Sequence, residues 1–153
     1  MGEAVEIRHA SPGDADAIAV LFDAYRQFYR RSPDLAGART FIDERLARRE
    51  SVIFLAEDSG APVGFTQLYP SFTSAGMARI FILNDLFVTP QARGRGIATA
   101  LLRRAADFGI AAGAVRLSLS TATDNHAAQT VYERAGWKRD NAFFVYQLAL
   151  GRS

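Results

Sequence analysis

The sequence predicts an α/β protein built on a mixed β-sheet with helices on its faces. Three observations carry that expectation. Strand-like segments alternate with segments of helical periodicity; two strand-like segments in the middle follow one another across a tight turn; and the longest apolar run, Ala78–Val88, reads as a central strand covered on both faces.

Element by element, Val5 and Ile7 alternate with Glu6 and Arg8, as in a half-buried strand. Ser11-Pro12-Gly13-Asp14 stops that strand and starts a helix, in which Ile18, Leu21, Phe22, Tyr25, Phe28 and Tyr29 recur at helical spacing. Ser32-Pro33-Asp34 breaks it, and Leu35, Ala38, Ile42 and Leu46 mark a second helix. Strands follow over Ser51–Ala56 and Pro62–Tyr69, joined at Asp58-Ser59-Gly60. The apolar Ala78–Val88 strand ends at Thr89-Pro90. Gly94–Gly109 reads as a helix with Ile97, Leu101, Ala105 and Phe108 on one face. Val115–Ser120 predicts a strand, Asn125–Ala135 a helix with Asp124 as its N-cap, and Ala142–Leu150 a closing strand.

At 153 residues the chain suits one domain over 1–153, with no repeat or long linker. No cysteine is present, which excludes disulfides, thiolate metal sites and cysteine nucleophiles. Two distant histidines, His9 and His126, make a histidine-built metal site improbable, so no metal is expected. All but one of the 18 basic residues are arginine, yet net charge is only +2 and no run of like charges appears, so nucleic acid is not an expected partner. The longest uncharged stretch, Ser59–Ala78, is broken by Gly60, Pro62, Gly64 and Pro70, and no apolar run reaches membrane-spanning length. The N-terminal stretch has no basic region followed by an apolar core, so the expected location is cytoplasmic.

The most informative stretch runs from Leu86 to Thr99, where a buried strand ends and a helix opens at Gly94-Arg95-Gly96. Helix N-termini expose unpaired N–H groups and the positive end of the dipole, and glycine lets a phosphate approach the backbone closely. Arg93 and Arg95 add charge of the right sign. The physical reading is a diphosphate cradle. A dinucleotide fingerprint would want a small residue where Thr99 stands, and the Gly-Lys-Ser/Thr of a Walker loop is absent.

Gln91-x-x-Gly94-x-Gly96, following an apolar strand and opening a helix, resembles the pyrophosphate motif of the GNAT N-acetyltransferase superfamily. Further on, Asn125-x-x-Ala128-x-x-x-Tyr132-x-x-x-Gly136-Trp137 resembles that family's second motif. The resemblance implies a three-layer fold whose sheet of about six or seven strands splays between Phe81–Val88 and Val115–Ser120, with acetyl-CoA in the gap and no metal. Pantetheine would run along Leu86, Phe87 and Val88; the diphosphate would meet Gln91 and Arg93 through Gly94, Arg95, Gly96, Ile97, Ala98 and Thr99. Asn125 would bind the pantetheine amides, small Ala128 would let that arm approach, and Tyr132 would protonate the departing thiolate.

Asn84 and Asp85 interrupt the apolar central strand, where adjacent side chains are expected on opposite faces. An ionised Asp85 there needs a partner or a cleft. Related polyamine-acetylating proteins carry a glutamate followed by an aspartate at this point, so Asn84 departs from them; a neutral amide is no general base, but it can orient an amine. By the same resemblance the acceptor end involves Tyr25, Tyr29, Arg30, Arg31 and Tyr69–Ser74. The expected reaction is direct acetyl transfer to a primary amine of a small molecule, or of a peptide or protein, in a ternary complex, since no cysteine can form an acyl-enzyme. The alternative is a catalytically weak acyl-CoA-binding regulatory module, and a homodimer is plausible because members of the family self-associate.

Overall fold

The computed structural model describes residues 5–151, so the N-terminal reading falls partly, and the single-domain reading at both ends, outside the described residues. The elements run β1 (Val5–His9), a 3-10 turn (Pro12–Asp14), α1 (Ala15–Phe28), α2 (Leu35–Ala47), β2 (Val52–Asp58), β3 (Ala61–Thr73), β4 (Ala78–Val88), α3 (Ile97–Ala111), β5 (Leu117–Ser118) and α4 (His126–Arg134). They form one mixed sheet in the order β1-β2-β3-β4-β5, antiparallel throughout except for the parallel pair β4–β5.

Two apolar clusters cover the two faces of that sheet. Phe54, Leu68, Phe81 and Leu83 pack with Ile97, Leu101, Leu102 and Ala105 of α3. Ile53, Leu55, Phe65 and Phe87 pack with Ile18 and Leu21 of α1 and Ile42 and Leu46 of α2. Period-2 alternation in the strands and the i, i+4 stripes of the helices therefore meet in three layers.

The four α-helices among the described residues stop in the same way. The residue after each C-cap is left-handed and the next N–H reaches back to the last turn: Gly113 has φ +78° with Ala114 N donating to Gly109 O, and Gly136 has φ +97° with Trp137 N donating to Tyr132 O. At the ends of α1 and α2 that strained position is filled by Arg30 (φ 64°) and Arg49 (φ 53°), side chains that lack glycine's freedom. The Gly136-Trp137 of the second motif is thus a helix stop, and it turns the Trp137 ring back to 6.1 Å from that of Tyr132.

Four elements differ from the sequence expectation. No strand forms over Ala142–Leu150: the segment pairs with no strand of the sheet, and every residue from 138 to 151 is exposed. Among the described residues the mixed sheet has five strands, slightly fewer than the six or seven expected and compatible with that fold. The strand expected over Val115–Ser120 is a two-residue pairing, since β5 meets β4 only at Phe81 and Ile82. Helix α3 starts at Ile97, not Gly94, because Gly94 and Gly96 both take φ +78° and so cannot continue a right-handed turn.

Candidate active site

The site begins with an irregularity in β4. Gln67 of β3 pairs with Asp85 and the next residue, Leu68, pairs with Leu83, leaving Asn84 as an extra residue. The bulge turns the strand over: Leu83 packs on the α3 side, whereas Phe87 packs on the α1/α2 side. Asn84 and Asp85 consequently do not point to opposite faces as expected. Their side chains meet, with Asn84 Nδ2 3.3 Å from Asp85 Oδ1.

Asp85 is buried and partnered. Gln67 Nε2 donates to its Oδ2 at 2.7 Å, and Ser51 Oγ donates in turn to Gln67 Oε1 at 2.7 Å. Burial pushes the Asp85 carboxyl above its ordinary value, while hydrogen bonds from Gln67, Tyr25 and Asn84 pull the other way. Tyr25, projecting from α1, donates its hydroxyl to the Asn84 carbonyl at 3.1 Å. Burial and the nearby Asp85 charge raise the Tyr25 pKa far beyond that of a free phenol.

Beyond Ile82, β4 has no strand partner on its β5 side among the described residues, so the two strands part. A cleft of about 540 Å³ opens there, walled by the Leu86–Val88 edge, the start of α3 and one face of α4. The turn into α3 lines it with Gly94, Gly96, Ile97, Ala98 and Thr99. A Cβ added at Gly94 or Gly96 would meet no atom within 4 Å, so what these positions demand is the left-handed backbone and not freedom from a crowding neighbour. The backbone N–H groups of that first helical turn and the unpaired strand edge are donor and acceptor sets that fit a diphosphate and an amide-bearing arm.

On the opposite wall Asn125, Ala128 and Tyr132 lie on one face of α4 and all line the cleft. The N-cap of α4 is Asn125, not Asp124: Asn125 Oδ1 accepts from Ala128 N at 3.3 Å. Capping engages the oxygen of this side chain and leaves its amide nitrogen as the donor. Tyr132 is partly buried; desolvation, then the neighbouring Tyr29, raises its pKa, so its hydroxyl keeps its proton at neutral pH.

Of the residues singled out from sequence, Leu86, Phe87, Val88, Arg93, Tyr29 and Tyr132 share this cleft with the glycine turn and the α4 face. Gln91 and Arg95 are not among its lining residues; Arg95 is held at 2.8 Å by Asp58 at the end of β2. Arg93 Nε donates to the Val88 carbonyl at 2.9 Å, so that carbonyl is already partnered. Asn84 and Asp85 adjoin the cleft through Tyr25 without lining it. Tyr69–Thr73, which the resemblance put at the acceptor end, are the distal end of β3, with Tyr69 pushed up to about 12 by burial and Asp85; they and Arg30 and Arg31 lie outside the cleft. Sequence reasoning missed Phe28 and Arg134 of the lining. Phe28 continues the Tyr25 stripe of α1, so helical periodicity was its signal; Arg134 stacks with Ala127 and Val131 on a flank of α4 that the Asn125, Ala128 and Tyr132 spacing does not reach. No group of three or more potential metal ligands occurs among the described residues, nor any helix long and apolar enough to cross a membrane.

Comparison with known proteins bears on this cleft directly. The acetyltransferase (GNAT) family profile matches residues 18–137. The chain is 49% identical to the uncharacterized N-acetyltransferase YhfO of Bacillus subtilis (strain 168) over 144 residues, covering 94% of this chain and 97% of that one. A crystal structure of a probable acetyltransferase superposes with a TM-score of 0.90 at 40% identity, over 97% of this chain and 99% of its own. An aminoglycoside N-acetyltransferase in complex with CoA has the same fold, with a TM-score of 0.80 at 18% identity and 94% of each chain covered. Acetyl-CoA-dependent N-acetylation is general to the family, and the protein is an acetyltransferase. A splayed β4–β5 pair, a glycine turn into α3 and a profile match over most of the chain together make it a member of the GNAT acetyltransferase family.

Proposed function

We propose that the protein transfers an acetyl group from acetyl-CoA to a primary amine of a small molecule, by direct attack in a ternary complex. The observation that carries this is the position of Tyr132: a phenol that keeps its proton, set in the cleft wall facing the unpaired edge of β4. Acetyl-CoA, when bound, supplies an activated acetyl thioester. The backbone N–H groups from Gly94 to Thr99 would take its diphosphate, the Leu86–Val88 edge and Asn125 its pantetheine amides, and Ala128 would leave room for that arm. Tyr132 donates a proton to the thiolate sulfur as it departs.

On the acceptor side, Asn84 orients the amine but is too weakly basic to take its proton. Asp85, raised by burial and joined to Asn84 and Tyr25, is the nearer base, reached through the Tyr25 hydroxyl or water. The charged lining is Arg93 and Arg134, and no Asp or Glu lines the cleft among the described residues. That sign suits a small amine, one bearing an anionic group included, better than a polycation. Thiol-release assays over a panel of amino acids, amino sugars and polyamines test it, with thermal shift by acetyl-CoA read in parallel. Turnover on a small amine together with stabilisation is expected; stabilisation without turnover on any amine removes the catalytic part, and neither removes the whole.

A further inference from the structure

Asp23 of α1 is a buried carboxylate that the proposed acetyl transfer does not use. Both of its oxygens are engaged. Arg26 Nη1 donates to Oδ1 at 2.8 Å and Gln27 Nε2 to Oδ2 at 3.2 Å, from the last turn of the same helix. A third bond comes from beyond the helix, where the backbone N–H of Asp34 donates to Oδ1 at 3.0 Å. Asp34 is the N-cap of α2, its side chain accepting from Gly37 N at 2.9 Å. Arg26 Nη1 also reaches the Ser32 carbonyl at 3.0 Å. One carboxylate thus ties together the end of α1, the turn after it and the start of α2.

The strap so tied has little else to fix it. Every residue from 27 to 37 is exposed, so apolar burial does not hold it in place. Arg30 within it takes φ 64°, a left-handed conformation that a residue with a Cβ keeps only where its surroundings enforce it. Yet the strap carries Phe28 and Tyr29, two rings of the cleft lining that are 57% and 49% exposed. They meet each other at 5.3 Å between centroids, and Tyr29 meets Tyr25 at 5.0 Å. Tyr29 also helps raise the pKa of Tyr132, which puts its ring at the reacting end of the cleft. We infer, resting on the acetyl-transfer reading, that Asp23 is a positioning residue for the acceptor amine: through the strap it sets where the Phe28 and Tyr29 rings stand, and so how tightly the amine is held, without touching substrate or the reacting atoms. Tyr132, Asn125 and the glycine turn are carried by other elements. Loosening the strap therefore raises KM for the amine and leaves proton donation and acetyl-CoA binding as they are.

Asp23→Ala strips all three bonds to the carboxylate. Amide exchange on the intact chain should quicken by about tenfold or more at Asp34 and over 29–32, while the α3 amides stay protected. Kinetics with the panel amine that the parent turns over fastest should show KM for that amine up by about tenfold, kcat within about twofold and acetyl-CoA affinity unchanged. Asp23→Asn should restore most of both readouts, since its oxygen can take the Arg26 and Asp34 donors and its amide can meet a flipped Gln27. Gly113→Ala, a destabilising change just past α3, should leave KM where it was. If Asp23→Ala does not fold, Arg26→Met removes the bonds to Asp23 and Ser32 and carries the same test with a smaller rise in KM. Strap amides that exchange at the parent's rate overturn the inference, as does a loosened strap with KM unmoved. A loss that falls on kcat or on acetyl-CoA instead, or an equal rise in KM from Gly113→Ala, overturns it too. In each of those cases the parent still turns over and acetyl transfer stands; a parent with no turnover on any panel amine removes both readings together.

Discussion

Gln67 and Asp85 face each other across β3 and β4 at 2.7 Å, both shut off from solvent. Burial holds the Asp85 carboxyl above its usual 3.8, so the native state binds this proton more tightly than the unfolded chain does. The stability that Asp85 contributes therefore falls as pH rises from about 4 through the raised native value, and stays low above it. Asp85→Asn removes the titration. Gln67 can accommodate the amide by flipping, because Ser51 Oγ can accept as well as donate. Urea unfolding of both proteins between about pH 4 and pH 8 should show the variant gaining on the parent as pH rises; a constant difference refutes the buried-carboxyl account. With a confirmed acceptor, the variant should also lose most of its turnover.

Replacing Tyr132 with Phe removes one hydroxyl from the cleft and leaves the ring against Trp137. General acids contribute about 10²–10⁴-fold, so kcat should fall by at least about 10²-fold while acetyl-CoA affinity changes little. Stopped-time thiol release and calorimetry separate the two. Unchanged turnover rejects the proton-donor role.

Arg49 sits in the left-handed position that ends α2, at φ 53°. Arg49→Gly relieves the Cβ strain and gives back part of it in unfolded-chain entropy, a net gain of about 0.5–1 kcal/mol. For a chain of this size the melting midpoint should rise by about 2–3 °C. Gly113→Ala, at φ +78° with open space around the added Cβ, should lose about 1 kcal/mol for the mirror-image reason.

Gly96→Ala makes a matched pair with Gly113→Ala. Both positions have φ +78° and no neighbour within 4 Å, so denaturation should show similar stability losses. Only the Gly96 change should weaken acetyl-CoA, by about tenfold or more, since it alone reshapes the turn proposed to hold the diphosphate. Equal affinities for the two variants would take the diphosphate away from this turn.

The elements that position the site were legible because each rests on local chemistry: the Tyr25 stripe of α1, the apolar β4, the glycines before α3, the Asn125–Tyr132 face of α4. Asn84 as an extra residue was not, since an insertion in one strand shows only against its partner, and Gln67 is 17 residues upstream. Arg95 carries the charge a phosphate site wants, yet Asp58, distant in sequence, holds it. Residues 142–150 have a strand's pattern. A pattern specifies what a segment can pair with, not which edge is available.

Because β4 carries one residue more than β3 needs, it responds differently to codons lost at neighbouring positions. Removing Asn84 would join Leu83 directly to Asp85 and restore a regular ladder, with Leu68 and Gln67 keeping their partners and Phe87 its place toward α1. What would go is the Asn84 amide and the carbonyl that receives the Tyr25 hydroxyl. Removing Leu86 instead would shift the remainder of the strand by one place, sending Phe87 toward α3 and Val88 toward α1. A one-codon deletion should therefore be tolerated by the fold at Asn84 and ruinous two residues later.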